Sequence, residues 1–120
     1  MTYRVARLNS LFREEISDLV QRQVKDPRLG SFVSITAVEI SKDMRYAKVF
    51  ISRYGTDLEK KETITALESA SGFIRHELSE RFKTRRIPEL SFRLDNTMEK
   101  ADKVLRIIDE IASEEGIPPS

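Results

Sequence analysis

The chain has 120 residues, no cysteine and a formal net charge of +1, which fits one domain with a modest core and excludes a disulfide scaffold. No apolar run approaches the roughly 20 residues of a membrane-spanning helix, and the opening MTYRVARLNS has no apolar secretory segment, so a cytoplasmic protein with no membrane partner is expected. Residues 1–100 carry nineteen Lys/Arg against fifteen Asp/Glu (+4) and residues 101–120 carry two against five (−3), a basic body with an acidic end that suits either an anionic partner or ordinary solubilising charge.

Within residues 4–24, Val5, Leu8, Phe12, Ile16, Leu19, Val20 and Val24 recur at helical spacing, with Arg4, Arg7, Arg13 and Arg22 off the stripe. KDPRLG stops this helix, because Pro27 disfavours helical dihedrals at Asp26 and Gly30 offers a turn. FVSITAVEIS, residues 32–41, is rich in β-branched residues, and YAKVFIS, residues 46–52, sets Ala47, Val49 and Ile51 against Tyr46, Lys48 and Phe50. The short polar link between the two runs makes them an antiparallel hairpin. Thr56 and Glu59 have capping-box spacing and open a long helical stretch, which ends near KTRRIPEL. LSFRL, residues 90–94, is a third strand. Asn96 and Glu99 repeat the capping spacing, and Met98, Ala101, Leu105, Ile108 and Ala112 then step by three and four through a last amphipathic helix. One domain is expected over residues 1–115, with a disordered tail at 116–120. Three short strands cannot cover themselves, so the pattern predicts an α+β layer with helices on one face of the sheet.

The long helical stretch contains ALESASGFIRHELSERF, residues 66–82. Unbroken, residues 59–83 would form a helix of about 37 Å, and Gly72 inside it costs about 1 kcal/mol against alanine. One reading is that Gly72 marks close packing against a strand. The other is a kink that turns Phe73 inward and gathers Ser69, Ala70 and Ser71 at an exposed corner. Helix N–H groups at such a corner suit a phosphate.

Little of the chain suggests catalysis. HELSE, residues 76–80, is half of a zinc-protease motif, but His76 is the only histidine and there is no cysteine to complete a ligand set. His76 has no nucleophile elbow to serve, no phosphate-binding Gly-rich loop exists, and the pair Glu14–Glu15 points to different helix faces. No catalytic residue, metal or cofactor is therefore expected. RFKTRR, residues 81–86, places Arg81, Lys83, Arg85 and Arg86 together with no acid among them. A helix C-terminus favours one or two cations; four suit a phosphate-contacting patch. Arg75 could extend that patch, with Arg4, Arg7, Lys42, Arg45 and Lys48 as weaker candidates, and Tyr46, Phe50 and Tyr54 could stack on bases.

Taken together these segments resemble the ribosome-binding factor A family, over almost the whole length. VKDPRLGSFVSITAVEISKDMRYAKVFIS has the family's Asp26-Pro27-Arg28 and its Ser41-x-Asp43 turn, ALESASGFIRHEL its Gly-Phe-hydrophobic-Arg segment, and RRIPELSFRLDNTMEKA its strand entry. The resemblance implies a type II KH-like fold, helix-strand-strand-helix-kink-helix-strand, with a C-terminal helix. Ordinary KH domains clamp a nucleic-acid backbone through a GxxG loop; the family has an Ala-x-Gly kink there, matched by Ala70-Ser71-Gly72. It also implies a monomeric, non-enzymatic factor that binds the maturing 30S subunit through 16S rRNA, in late assembly and rRNA end processing, with cold adaptation as a context. The rival expectation is an α+β interaction adaptor that works through its acidic C-terminal helix.

Overall fold

A computed structural model of the protein describes residues 3–29 and 33–114. Helix α1 (Tyr3–Arg22) is followed by a 3-10 turn (Pro27–Leu29), strands β1 (Val33–Ile40) and β2 (Tyr46–Arg53), helices α2 (Asp57–Ser69) and α3 (Ser71–Phe82), strand β3 (Glu89–Leu94) and helix α4 (Thr97–Glu114). The sheet order is β1-β2-β3, with β2 antiparallel to β1 and parallel to β3. The parallel pairing requires a crossover, and α2 and α3 supply it. The architecture is α+β and KH-like, with the element order expected from the sequence. Gly30 and Phe32, which the sequence places in a turn and a strand, and the tail at 116–120, lie outside the described residues.

One sheet face packs on the helices. Ala47, Val49 and Ile51 of β2 are buried with Ile35, Val38 and Ile40 of β1 and Leu90 and Phe92 of β3. From the helices come Phe12, Ile16, Leu19 and Val20 of α1, Ala66 and Leu67 of α2, and Ile74 and Leu78 of α3. The alternation read in residues 46–51 therefore sorts correctly: Tyr46 and Lys48 are exposed on the other face and Phe50 is half-buried there.

Local chemistry fixes the corners. Thr56 and Glu59 form the expected capping box, the Thr56 hydroxyl accepting from Glu59 N–H at 3.2 Å and the Glu59 carboxylate from Thr56 N–H at 3.0 Å. Such a cap stabilises a helix by about 1 kcal/mol. In the β1–β2 turn the Ser41 hydroxyl donates to Asp43 Oδ1 at 2.7 Å, Arg45 N–H donates to the same oxygen at 3.1 Å, and Tyr46 N–H donates to Ser41 Oγ at 3.1 Å. The Ser41 hydroxyl, and then the Arg45 amide, hold the Asp43 carboxyl below its ordinary range. The turn leaves Met44 in the left-handed region (φ 60°), with its side chain exposed.

Helix α4 differs from the other helices. Asn96 stands at the cap position, its carbonyl accepting from Lys100 N–H at 2.9 Å, and Asp95 ties the entry by accepting from Thr97 N–H at 2.9 Å and from the Thr36 hydroxyl at 2.7 Å. Beyond that anchor its apolar stripe is uncovered, with Val104, Leu105, Ile107, Ile108 and Ile111 all exposed. Amphipathic helices usually bury such a stripe; this one stands off the body. The Cα radius of gyration is 18.0 Å, against about 14 Å for a compact chain of this length. The Met98 side chain, read as part of the stripe, lies outside the described residues. No helix among the described residues is long and apolar enough to cross a membrane.

Candidate nucleic-acid interface

The sequence offers two candidate centres, the Ala70–Gly72 corner and the RFKTRR run, with Arg4, Arg7 and Arg45 outside both. The structure puts the two centres at opposite ends of α3, about 18 Å apart.

At the first end, α2 and α3 meet at a single residue. Ala70 keeps near-helical dihedrals (φ −88°, ψ −2°). Its N–H is shared between the Ala66 and Leu67 carbonyls at 3.0 and 3.1 Å, and its carbonyl accepts from Ile74 N–H at 2.9 Å. Ala70 parts α2 from α3, so the expected break is present, but two expectations about it are overturned. Phe73 does not turn inward: it is 42% exposed, while Ile74 beside it is fully buried. One step of about 100° from the buried Ile74 leaves position 73 on the outer side of α3. Gly72 does not relieve close packing either. A β-carbon there would meet nothing within 4 Å, and its φ is not in the left-handed region. Nothing in the fold of this chain requires a glycine at 72. Gly72→Ala is accordingly expected to raise stability by up to about 1 kcal/mol in urea unfolding. If RNA backbone approaches this bare corner, the same variant binds subunits more weakly despite its added stability.

Phe73 and Ala70 border a shallow hollow with Gln23, Val24, Lys25 and Asp26, from the chain that leaves α1. Asp26 is tied to Arg28, whose Nη2 lies 2.6 Å from Asp26 Oδ2. The Arg28 side chain is the main cause that lowers the Asp26 carboxyl from its ordinary value. Lys25 is the exposed cation at this end.

At the other end of α3 the four cations of residues 81–86 separate in role. Arg81 Nη1 lies 2.6 Å from Glu15 Oε2 and 2.9 Å from Asp18 Oδ2, and Asp18 also pairs with Arg22 at 2.9 Å. Hydrogen bonds to Glu15, and then to Asp18, raise the Arg81 pKa further. RFKTRR has no acid of its own, but α1 brings two to it across the fold. Arg81 thus joins α3 to α1, beside the stacked rings of Phe12 and Phe82 (centroids 4.9 Å apart, interplanar angle 14°). To reach a phosphate it would have to leave two carboxylates. Arg81→Gln is expected to cost about 1 kcal/mol in stability, since partly exposed pairs contribute up to about that. Subunit affinity should stay within about twofold of the parent; a large affinity loss at unchanged stability would return Arg81 to the binding surface.

The remaining cations face outward. Lys83 closes α3 in the left-handed conformation (φ 53°, ψ 45°) and is exposed, as are Arg85 and Arg86. The Thr84 hydroxyl accepts from Arg86 N–H at 3.2 Å and shapes the exit toward β3. Arg75, mid-helix, donates from Nη2 to the Ile87 carbonyl at 2.9 Å, which fixes its guanidinium between α3 and the start of β3. Arg75, Arg86 and Ile87 border a groove of about 810 Å³, whose lining also includes Leu8 and Phe12 of α1, the turn Asp43–Tyr46, Phe82, Thr84 and Glu89; Lys83 and Arg85 are not part of it. Arg45, Arg75 and Arg86 therefore converge on one hollow. None of the three is ion-paired within the described residues. Arg4 and Arg7 are exposed on the turn of α1 before Leu8 but do not line the groove. Met44 and the Phe12–Phe82 pair were not marked by sequence reasoning as site residues; the only signal was the polar, basic turn between β1 and β2. His76 is exposed, and no group of three or more His, Cys, Asp or Glu among the described residues is placed to hold a metal.

The profile of the family described as Ribosome-binding factor A matches residues 4–108. The chain belongs to the ribosome-binding factor A family. The ribosome-binding factor A of Dictyoglomus thermophilum is 50% identical over 115 residues, 96% of each chain. Among solved structures, the solution structure of a Thermotoga maritima protein superposes with a TM-score of 0.70 at 40% identity, covering 76% of this chain and 86% of that one. A Thermus thermophilus ribosome binding factor A, fitted into a map of a 30S complex, gives a TM-score of 0.64 at 25% identity, covering 77% of this chain and 96% of that one.

Proposed function

We propose that this member of the ribosome-binding factor A family is a non-catalytic, monomeric cytoplasmic factor that binds the maturing 30S subunit through 16S rRNA and supports late maturation and rRNA end processing. The observation that carries the reading is the convergence of Arg45, Arg75 and Arg86 on one groove, with Lys83 and Arg85 exposed beside it. Cations that a fold leaves without carboxylate partners are available to phosphates, and phosphate contacts dominate affinity for RNA. A relative of this chain is described in a complex with the 30S subunit. Ala70, Ser71 and Gly72 provide a second, bare point of approach, with Lys25 nearby. The factor acts by occupying rRNA and holding its conformation.

Co-sedimentation with small subunits over a salt series tests this. The logarithm of the binding constant should fall linearly with the logarithm of salt, by about 0.7–0.9 per neutralised phosphate. Three to five contacts then give a slope of roughly −2 to −4.5. A flat response would remove rRNA as the partner.

The exposed stripe of α4 favours a second reading, an adaptor that presents this helix to a protein groove. Leu105→Ser with Ile108→Ser separates the two. On the rRNA reading the double variant still binds subunits, and on the adaptor reading it does not.

A further inference from the structure

Two surfaces of this chain with apolar groups face water, and they lie next to each other. One is the stripe of α4, where Val104, Leu105, Ile107, Ile108 and Ile111 are 47–59% exposed. The other is the sheet face turned away from α1, α2 and α3. Along β2 it carries Tyr46, 57% exposed, and Phe50, half-buried, with Ala37 of β1 opposite Phe50. A sheet can leave one face in water; an uncovered apolar helix stripe beside it is the unusual feature.

The two surfaces meet at the start of α4. A hollow of about 260 Å³ there is lined by Ala37, Glu39 and Phe50 of the sheet and by Thr97 and Lys100 of α4. At about 100° per residue, Thr97, Lys100, Val104, Ile108 and Ile111 fall within an arc of about 80° on the helix. The side of α4 that borders the open sheet face at its first turn is therefore the side that carries the stripe further on.

We infer that α4 is a hinged arm that pivots at Asn96, lays its stripe along β2 and closes the open sheet face of its own chain. This does not depend on the rRNA reading. The lengths match. Phe50 and Tyr46 are about 13 Å apart along the strand, and Lys100 and Ile108 about 12 Å apart along the helix. A closed arm therefore brings Val104 to the level of Lys48 and Ile108 to the level of Tyr46. The charges permit it. Asp102, Arg106 and Asp109 lie on the far side of the helix from the stripe and stay in water. Lys48 faces Glu39 across the β1–β2 register, and lysine stems lie along apolar surface while their ammonium groups reach water at the rim. Asp95, held by the Thr36 hydroxyl, keeps the root of the arm on β1. Closed, the arm adds a third layer to the fold and withholds its stripe from other proteins. Open, as in the structure, it offers that stripe.

The chain has no cysteine, so a pair introduced on arm and sheet reports on closure alone. In the full chain, Lys48→Cys with Val104→Cys should form a disulfide within one molecule under mild oxidation, because closure brings the two β-carbons to the roughly 4 Å that the bond requires. Lys48→Cys with Asp102→Cys is the control: it is nearer the hinge but on the far side of the helix, and should cross-link at least about tenfold more slowly. All three positions are exposed, and the reduced variants should unfold at the temperature of the parent. Locking the first pair should leave the radius of gyration in solution scattering unchanged, since the arm closes before it is locked. Equal rates for the two pairs, or a marked fall in that radius on locking, would show an arm that swings freely and would overturn the inference. So would the absence of any disulfide, or one that forms only between molecules with a yield rising with concentration, which would assign the stripe to a second copy. A flat salt slope in subunit binding removes rRNA as the partner and leaves closure to be decided by the cross-link.

Discussion

Ile74→Ala should lose about 2–5 kcal/mol of stability in urea unfolding, whereas Phe73→Ala should lose less than about 1.5 kcal/mol. The two residues are neighbours, and the larger side chain is the less important one. Ile74 is fully buried and, with Leu78 one turn on, forms the inner face of α3. Removing it leaves a cavity among close-packed residues that relax only in part. Phe73 is 42% exposed over a shallow hollow, so its truncation gives up only part of an aromatic side chain's transfer energy. The reverse order would mean that α3 is rotated by about one residue, 100°, and that Phe73 is core after all.

The triple replacement of Lys83, Arg85 and Arg86 by Glu should weaken binding to the small subunit by about a hundredfold or more. Hydrogen bonds to charged groups each contribute about 1.5–3 kcal/mol, and the replacement substitutes repulsion for attraction at each position. The fold should barely respond. All three side chains are exposed and form no ion pair among the described residues. Only Lys83 closes a helix, where a cation is worth about 0.3–1 kcal/mol. If affinity survives at moderate salt while unfolding is unchanged, these cations serve the helix end alone.

Much of the scaffold was legible because local rules govern it. Thr56 and Glu59 announced their capping box three residues apart, the short polar link between the first two strands its turn, and the alternation from Tyr46 to Ile51 its buried face. What escaped was set by contacts distant in sequence. RFKTRR reads as four like cations because the acids that claim Arg81 stand at Glu15 and Asp18, more than sixty residues earlier. Arg45, Arg75 and Arg86 share a groove only because the parallel β2–β3 pairing returns residues 86–89 to the start of β2, where Tyr46 faces Glu89. Nothing in spacing reveals that. Phe73 was misplaced although the break itself was real: the glycine was visible, but the rotation of α3 that turns Ile74 rather than Phe73 inward was not. The stripe on α4 was legible as amphipathic. Periodicity reports what a helix could cover, and here Val104, Leu105, Ile107, Ile108 and Ile111 stay exposed.

The most direct test of the central claim is a chemical footprint of 16S rRNA on small subunits, with and without the protein. Binding through rRNA predicts a discrete set of protected nucleotides that disappears when Lys83, Arg85 and Arg86 are replaced by Glu. Unpaired nucleotides should be among those protected. Protection that is unchanged by the replacement, or subunit binding with no protected nucleotide at all, would contradict it.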